Sequence, residues 1–151
     1  MNLQTNFMSL ALEQAKLAFD KGEVPIGAVV VLNNEIIASA YNKVETENDA
    51  TAHAEILAIK EASKKINSWR LNECEIFVTI EPCTMCIGAI INARISKLYF
   101  GAREEKFGAV GSLYNVADAN RMSKLEVYSG ILEDECARLM NEFFKKKRNS
   151  D

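Results

Sequence analysis

Residues 74–102 read CEIFVTIEPCTMCIGAIINARISKLYFGA, and their reading decides the fold class. CEIFVTI, β-branched and aromatic, predicts a strand. TMCIGAIINAR, opening just after Pro82, predicts a helix, and SKLYFGA a further strand. Upstream, residues 5–20 carry Phe7, Met8, Ala11, Leu12, Ala15, Ala18 and Phe19 at the spacing of an amphipathic helix. IGAVVVL then reads as a buried strand, Asn33-Asn34 as a tight turn and EIIASAYN as the hairpin partner. Asp49 or Thr51 is expected to cap a helix through AHAEILAIKEASKKI, with Ile56, Leu57 and Ile59 on its apolar side. Downstream, a glycine-punctuated loop through EEKFGAVGS leads to a fifth strand, KLEVYSG, and a last amphipathic helix, DECARLMNEFFKKK. Helices alternating with strands after an opening hairpin predict an α/β sheet covered on both faces.

The chain of 151 residues has no internal repeat or linker-like tract, so one domain over residues 1–151 is expected. No stretch approaches the roughly 20 apolar residues that span a bilayer, and MNLQTNFMSLALEQAK lacks the basic and apolar regions of a signal peptide. A cytoplasmic location without membrane contact is expected. There the four cysteines serve as metal ligands, catalytic groups or buried thiols rather than disulfides. A formal charge of −3 supplies no global reason to bind nucleic acid. Locally, FFKKKRNS gathers Phe143, Phe144, Lys145, Lys146, Lys147 and Arg148. It reads either as a helix end whose cations complement the dipole or as a phosphate-contacting patch with stacking partners.

Cys83 and Cys86 form a Cys-x-x-Cys pair directly after Pro82. Cys74 and Cys136 form no second such pair, which removes the usual four-cysteine ribbon and leaves both as ordinary buried or half-buried thiols. The single histidine, His53, opens a helix after a strand, as do the two cysteines. Helix starts of this kind share one edge of an α/β sheet, where ligands bind. One imidazole and two thiolates make three ligands for one zinc ion and leave a fourth position open, the mark of a catalytic site. Glu55, two residues beyond His53, is placed to move a proton without binding the metal. Burial would raise its pKa and zinc would lower it.

His-x-Glu at residues 53–55 together with Pro-Cys-x-x-Cys at 82–86 resembles the signature of zinc nucleobase deaminases. The resemblance extends to the bacterial tRNA-specific adenosine deaminases through EVPIGAVVV, DATAHAEILAI, IFVTIEPCTMCIGAIINARI, YFGA, GAVGSLYNV and GILEDECARLMNEFF, most of residues 7–148. That resemblance implies a cytidine deaminase-like, three-layer α/β/α sandwich around a mixed five-stranded sheet. It implies hydrolysis of adenosine to inosine at the wobble position of an anticodon, in an arginine tRNA with anticodon ACG. His53, Cys83 and Cys86 would hold zinc, and Glu55 would shuttle protons while activated water attacks C6. Asn42 would bind the base, its alternative being a turn residue at a strand end. Ala54 would contribute main-chain groups. Phe143, Phe144, Lys147 and Arg148 would meet the anticodon stem-loop, and the enzyme would be a homodimer.

Two departures from the family pattern concern substrate contacts. Glu104, in GAREEKFGA, stands where aspartate is usual, and Ser123-Lys124 replaces an Asn-His pair. Two rivals remain: a deaminase of free guanine or cytosine compounds, and a structural zinc or RNA-binding module without catalysis.

Overall fold

The computed structural model describes residues 2–119 and 124–150. Its elements run α1 (Leu3–Asp20), β1 (Gly27–Leu32), β2 (Glu35–Tyr41), α2 (Val44–Glu47), α3 (Ala54–Ile66), β3 (Cys74–Ile80), α4 (Thr84–Asn92), β4 (Lys97–Ala102), α5 (Val116–Ala119), β5 (Glu126–Ser129) and α6 (Glu133–Asn149). The strands form one sheet in the order β2-β1-β3-β4-β5. β1 runs antiparallel to both β2 and β3, whereas β3, β4 and β5 are parallel. The opening pair is a hairpin because Asn33 and Asn34 both take positive φ, 52° and 64°. Asparagine tolerates that region better than other side chains with a Cβ, and such a turn matches the strand twist.

Strand alternation divides the interior in two. Ala28, Val30, Ile76, Val78, Leu98 and Phe100 face α3 and α4, where Ala54, Ala58, Ala62, Ile87 and Ile90 cover them. Val29, Val31, Phe77 and Tyr99 face the other way, onto Met8, Ala11, Leu12 and Ala15 of α1 and Cys136 of α6. On this second face Phe77 and Tyr99 stack with centroids 4.3 Å apart. Complete burial of an aromatic ring such as Phe77 contributes about 1.5–3 kcal/mol. The mixed five-stranded sheet with helices on both faces is the expected architecture. Cys74 and Cys136, expected as buried thiols, are buried and free, and burial raises both, Cys136 to about 12.

The details depart from expectation at helix starts and faces. Neither Asp49 nor Thr51 caps α3. Asp49 instead accepts hydrogen bonds from the Thr51 amide (2.8 Å) and hydroxyl (2.7 Å), bracing the approach loop. The N-cap is His53, whose side chain makes no capping bond. The buried face of α3 is Ala54, Glu55, Ala58 and Ala62, small groups that let the helix lie close to the sheet. Leu57 and Ile59 pack at its margin. Asn42 lies one residue beyond β2, and β5 is shorter than its sequence pattern suggests. Ser123 lies outside the described residues.

Candidate metal centre

α3 and α4 begin at the same edge of the sheet, each with a candidate ligand as its N-cap: His53 for α3 and Cys83 for α4. Cys86 follows one turn into α4 and is buried. The helices thus bring together one imidazole and two thiol groups, with all ligand atoms within 4.8 Å of one another. His53 Nδ1 lies 3.6 Å from Cys83 Sγ and 3.5 Å from Cys86 Sγ. A zinc ion about 2.3 Å from sulfur and about 2.0–2.1 Å from nitrogen sets tetrahedral ligand edges of roughly 3.5–3.8 Å. The donor set and its spacing therefore fit zinc.

Electrostatics point the same way. A hydrogen bond from the Cys86 thiol is the main cause that brings Cys83 down to about 4, with His53 assisting and burial opposing. The same bond, together with burial, pushes Cys86 far up. The bond to Cys83 also raises His53. By itself the pair carries one negative charge, so a second thiolate in this space calls for a cation.

Glu55 sits in the first turn of α3 and is only 3% exposed. Burial, the largest cause, raises its carboxyl to about 7. Its Oε1 has no hydrogen-bond partner among the described residues. An orphaned, buried carboxylate oxygen is costly, and such groups mark places where a ligand or water completes the bonding. Beside it opens a cavity of about 270 Å³ lined by Glu23, Val24, Ile26, Asn42, Val44, Glu45, His53 and Ala54. Asn42 is buried, donating to the Val24 carbonyl at 3.3 Å and accepting from the Val44 amide at 3.4 Å. Both bonds are long and exchangeable for a ligand's.

The basic tail divides. Phe144 is 39% exposed and lines a groove of about 730 Å³ with Arg103, Glu104, Lys106, Phe107, Lys147 and Arg148. Phe143, expected at the same surface, is instead buried, edge-on to Phe19 of α1 at 5.8 Å. It anchors α6, because neighbouring helical positions point about 100° apart. Lys146, Lys147 and Arg148 also occupy the last turn of α6, where cations complement the dipole. Glu104 is folded back onto its own loop, accepting from the Lys106 amide at 3.0 Å.

Sequence reading missed two buried carboxylates. Glu23 accepts from the Glu45 amide (3.1 Å) and from the amide and hydroxyl of Thr46 (each 2.6 Å), fixing one rim of the small cavity. Glu81 accepts from the amides of Glu104, Val110 and Ser112 and from the Ser112 hydroxyl. A signal existed in each case: a lone acid embedded in an apolar run, GEVPIG or VTIEPC, must find donors if buried.

Comparison with known proteins accords with this geometry. The MafB19-like deaminase family model matches residues 1–148. The tRNA-specific adenosine deaminase of Bacillus subtilis is 48% identical over 143 residues, 94% of this chain and 89% of that protein. Its counterpart in Aquifex aeolicus is 48% identical over 147 residues, 95% of each. A solved structure from studies of A-to-I editing by tRNA:A34 deaminases at the wobble position superimposes with a TM-score of 0.85 at 44% identity, covering 89% of this chain and 99% of that one. A guanine deaminase from Nitrosomonas europaea reaches 0.81 at 26% identity, covering 92% and 83%. With a deaminase family model matched over residues 1–148 and near-half identity to two such enzymes, this chain belongs to the family of tRNA-specific adenosine deaminases.

Proposed function

We propose that this chain, as one domain over residues 1–151, hydrolyses adenosine to inosine and ammonia at the wobble position of a tRNA anticodon, with an arginine tRNA bearing ACG as substrate. The observation that carries the reading is the His53–Cys83–Cys86 cluster beside the buried carboxyl group of Glu55, whose Oε1 has no hydrogen-bond partner among the described residues. Zinc held by His53 Nδ1 and the two Sγ atoms supplies, when bound, Lewis-acid activation of water at neutral pH. Glu55, raised to about 7 by burial, takes a proton from the attacking water and returns it to the departing amino group. Asn42 exchanges its long internal bonds for the base. The Ala54 amide, in the first turn of α3 where N–H groups lack intrahelical acceptors, helps to orient it. The cavity of about 270 Å³ has room for a single heterocycle, so the target base must leave its stack, which a single-stranded loop permits most cheaply.

The larger groove suits the rest of an anticodon stem-loop. Arg103, Lys106, Lys147 and Arg148 supply positive charge for phosphates, and exposed Phe107 and Phe144 offer faces for stacking. Glu104 lines the same groove and meets ribose or phosphate differently from aspartate. Met85, Leu113 and Tyr114 are exposed apolar side chains, and a hydrogen bond between Thr84 and Tyr114 ties the start of α4 to the loop that carries the last two. A second copy of the chain covers these side chains in a homodimer. No helix among the described residues is long and apolar enough to cross a membrane, and the enzyme works on tRNA in the cytoplasm.

The test is ammonia release from three substrates: an ACG anticodon stem-loop, free guanine and free cytidine. Turnover of the stem-loop alone is expected. Turnover of guanine or cytidine with an inert stem-loop would overturn the reading in favour of a small-molecule deaminase.

A further inference from the structure

Glu81 is 3% exposed, and among the described residues the hydrogen-bond donors to its carboxylate all come from residues 104–112. Its Oε1 accepts from the Glu104 amide at 3.1 Å and from the Ser112 hydroxyl. Its Oε2 accepts from the amides of Val110 and Ser112, each at 3.0 Å. The adjoining backbone adds two ties: the Ala109 amide donates to the Pro82 carbonyl at 2.9 Å, and Cys83 bridges Gly108. Gly108 leaves no spare room, since a Cβ there would come within 2.4 Å of the Glu81 carboxyl carbon. One buried carboxyl group thus fastens residues 104–112 to the connection that carries the first cysteine ligand.

That fastened segment supplies one wall of the large groove, with Glu104, Glu105, Lys106 and Phe107 facing Phe144, Lys147 and Arg148 of α6. Glu81 itself does not line the groove. We infer that Glu81 is a positioning residue that sets the distance between the two walls of the groove, and so governs engagement of the RNA strand rather than the chemical step. The inference rests on the proposed RNA substrate for its functional half only; the fastening itself is independent of any substrate.

Glu81→Gln tests both halves. An amide in this place must turn its NH₂ toward the Ser112 hydroxyl, which can reverse and accept. It then points a donor at the Glu104 amide, so that tie is lost while those of Val110 and Ser112 persist. In hydrogen exchange of the zinc-loaded protein, the amides of Glu104 and Gly108 should exchange faster while those of β3 and β4 stay protected. Steady-state kinetics on the ACG stem-loop should show KM rising about tenfold, the equivalent of one lost charge-assisted hydrogen bond. The value of kcat should stay within about threefold, and zinc should remain near one per chain. If Glu81→Gln fails to fold, Gly108→Ala displaces the same contact from the other side and should raise KM in the same way. Unchanged exchange at residues 104–112 would overturn the fastening. An unchanged KM, or a loss confined to kcat, would overturn the positioning role where wild-type enzyme turns the stem-loop over. Wild-type enzyme that leaves the stem-loop unchanged would instead defeat the RNA reading, with the exchange result still standing or falling by itself.

Discussion

Glu55 and Cys86 are both buried at the metal centre, yet they predict different failures. Glu55→Ala removes the proton carrier but no ligand, so it should keep about one zinc per chain while deamination falls by about 10²–10⁴-fold, the usual worth of a positioned acid–base group. Cys86→Ser should lose metal and activity together, measurable by atomic absorption alongside turnover. A Glu55→Ala enzyme of full activity would refute the proton role. Glu23 predicts a pH effect on stability. Burial would raise its carboxyl, but the hydroxyl and amide of Thr46 and the amide of Glu45 outweigh that and lower it. A group depressed in the folded state stabilises above its unfolded pKa, and that stability drains away as pH falls through the folded value. Urea midpoints should therefore decline below about pH 4.5 in the wild type. Glu23→Gln should start lower, by about 1–3 kcal/mol at pH 7, and decline less steeply over that window. At this scale the candidate centre was legible because histidine and cysteine are scarce in the chain and His53, Cys83 and Cys86 stand at telling spacings, with Glu55 two residues beyond the histidine. Glu23 and Glu81 were not, because an acid in an apolar run does not name its donors, which lie 22 or more residues away in both cases.

Between elements, close contact is what the fold depends on. A Cβ on Gly27 would lie 2.0 Å from the Ala11 carbonyl oxygen and 2.5 Å from the Ala15 nitrogen. Both are backbone atoms of α1, which no rotamer change can move aside. Gly27→Ala should push α1 off β1 and destabilise by about 3 kcal/mol or more, read from chemical denaturation. A loss below about 0.5 kcal/mol would mean that α1 is not seated as described. The order and type of the long elements could be read from periodicity because β1, β3 and β4 are nearly continuous apolar runs. Sheet order and strand direction could not, since pairing is decided by which strands can share the two cores. The start of α3 was misjudged for a related reason. Asp49 and Thr51 are good capping residues by type, but their side chains bond each other, and His53 takes the cap position, where it faces the cysteines.

Over the whole molecule, one groove collects an excess of positive charge, four cations against the carboxylates of Glu104 and Glu105. A chain of net charge −3 concentrates Arg103, Lys106, Lys147 and Arg148 around one groove. Replacing Lys147 and Arg148 with glutamine should weaken stem-loop binding and reduce its salt slope by about 0.7–0.9 per cation, as fewer counterions are released. An unchanged slope would leave these residues only their role at the end of α6. The tail shows how far composition can take a reading. FFKKKR announces a basic, aromatic surface, but only helix geometry turns Phe144 to the groove and Phe143 to the core. The central claim is that the metal centre and the groove serve one adenosine. Its most direct measurement is sequencing of an arginine tRNA transcript with anticodon ACG after incubation with zinc-loaded enzyme, beside the Glu55→Ala variant. Inosine is copied as guanosine, so an A-to-G change confined to the wobble position, present with wild type and absent with the variant, is the predicted result. An unmodified wobble adenosine with the wild-type enzyme, or an equal change with the variant, would contradict the account.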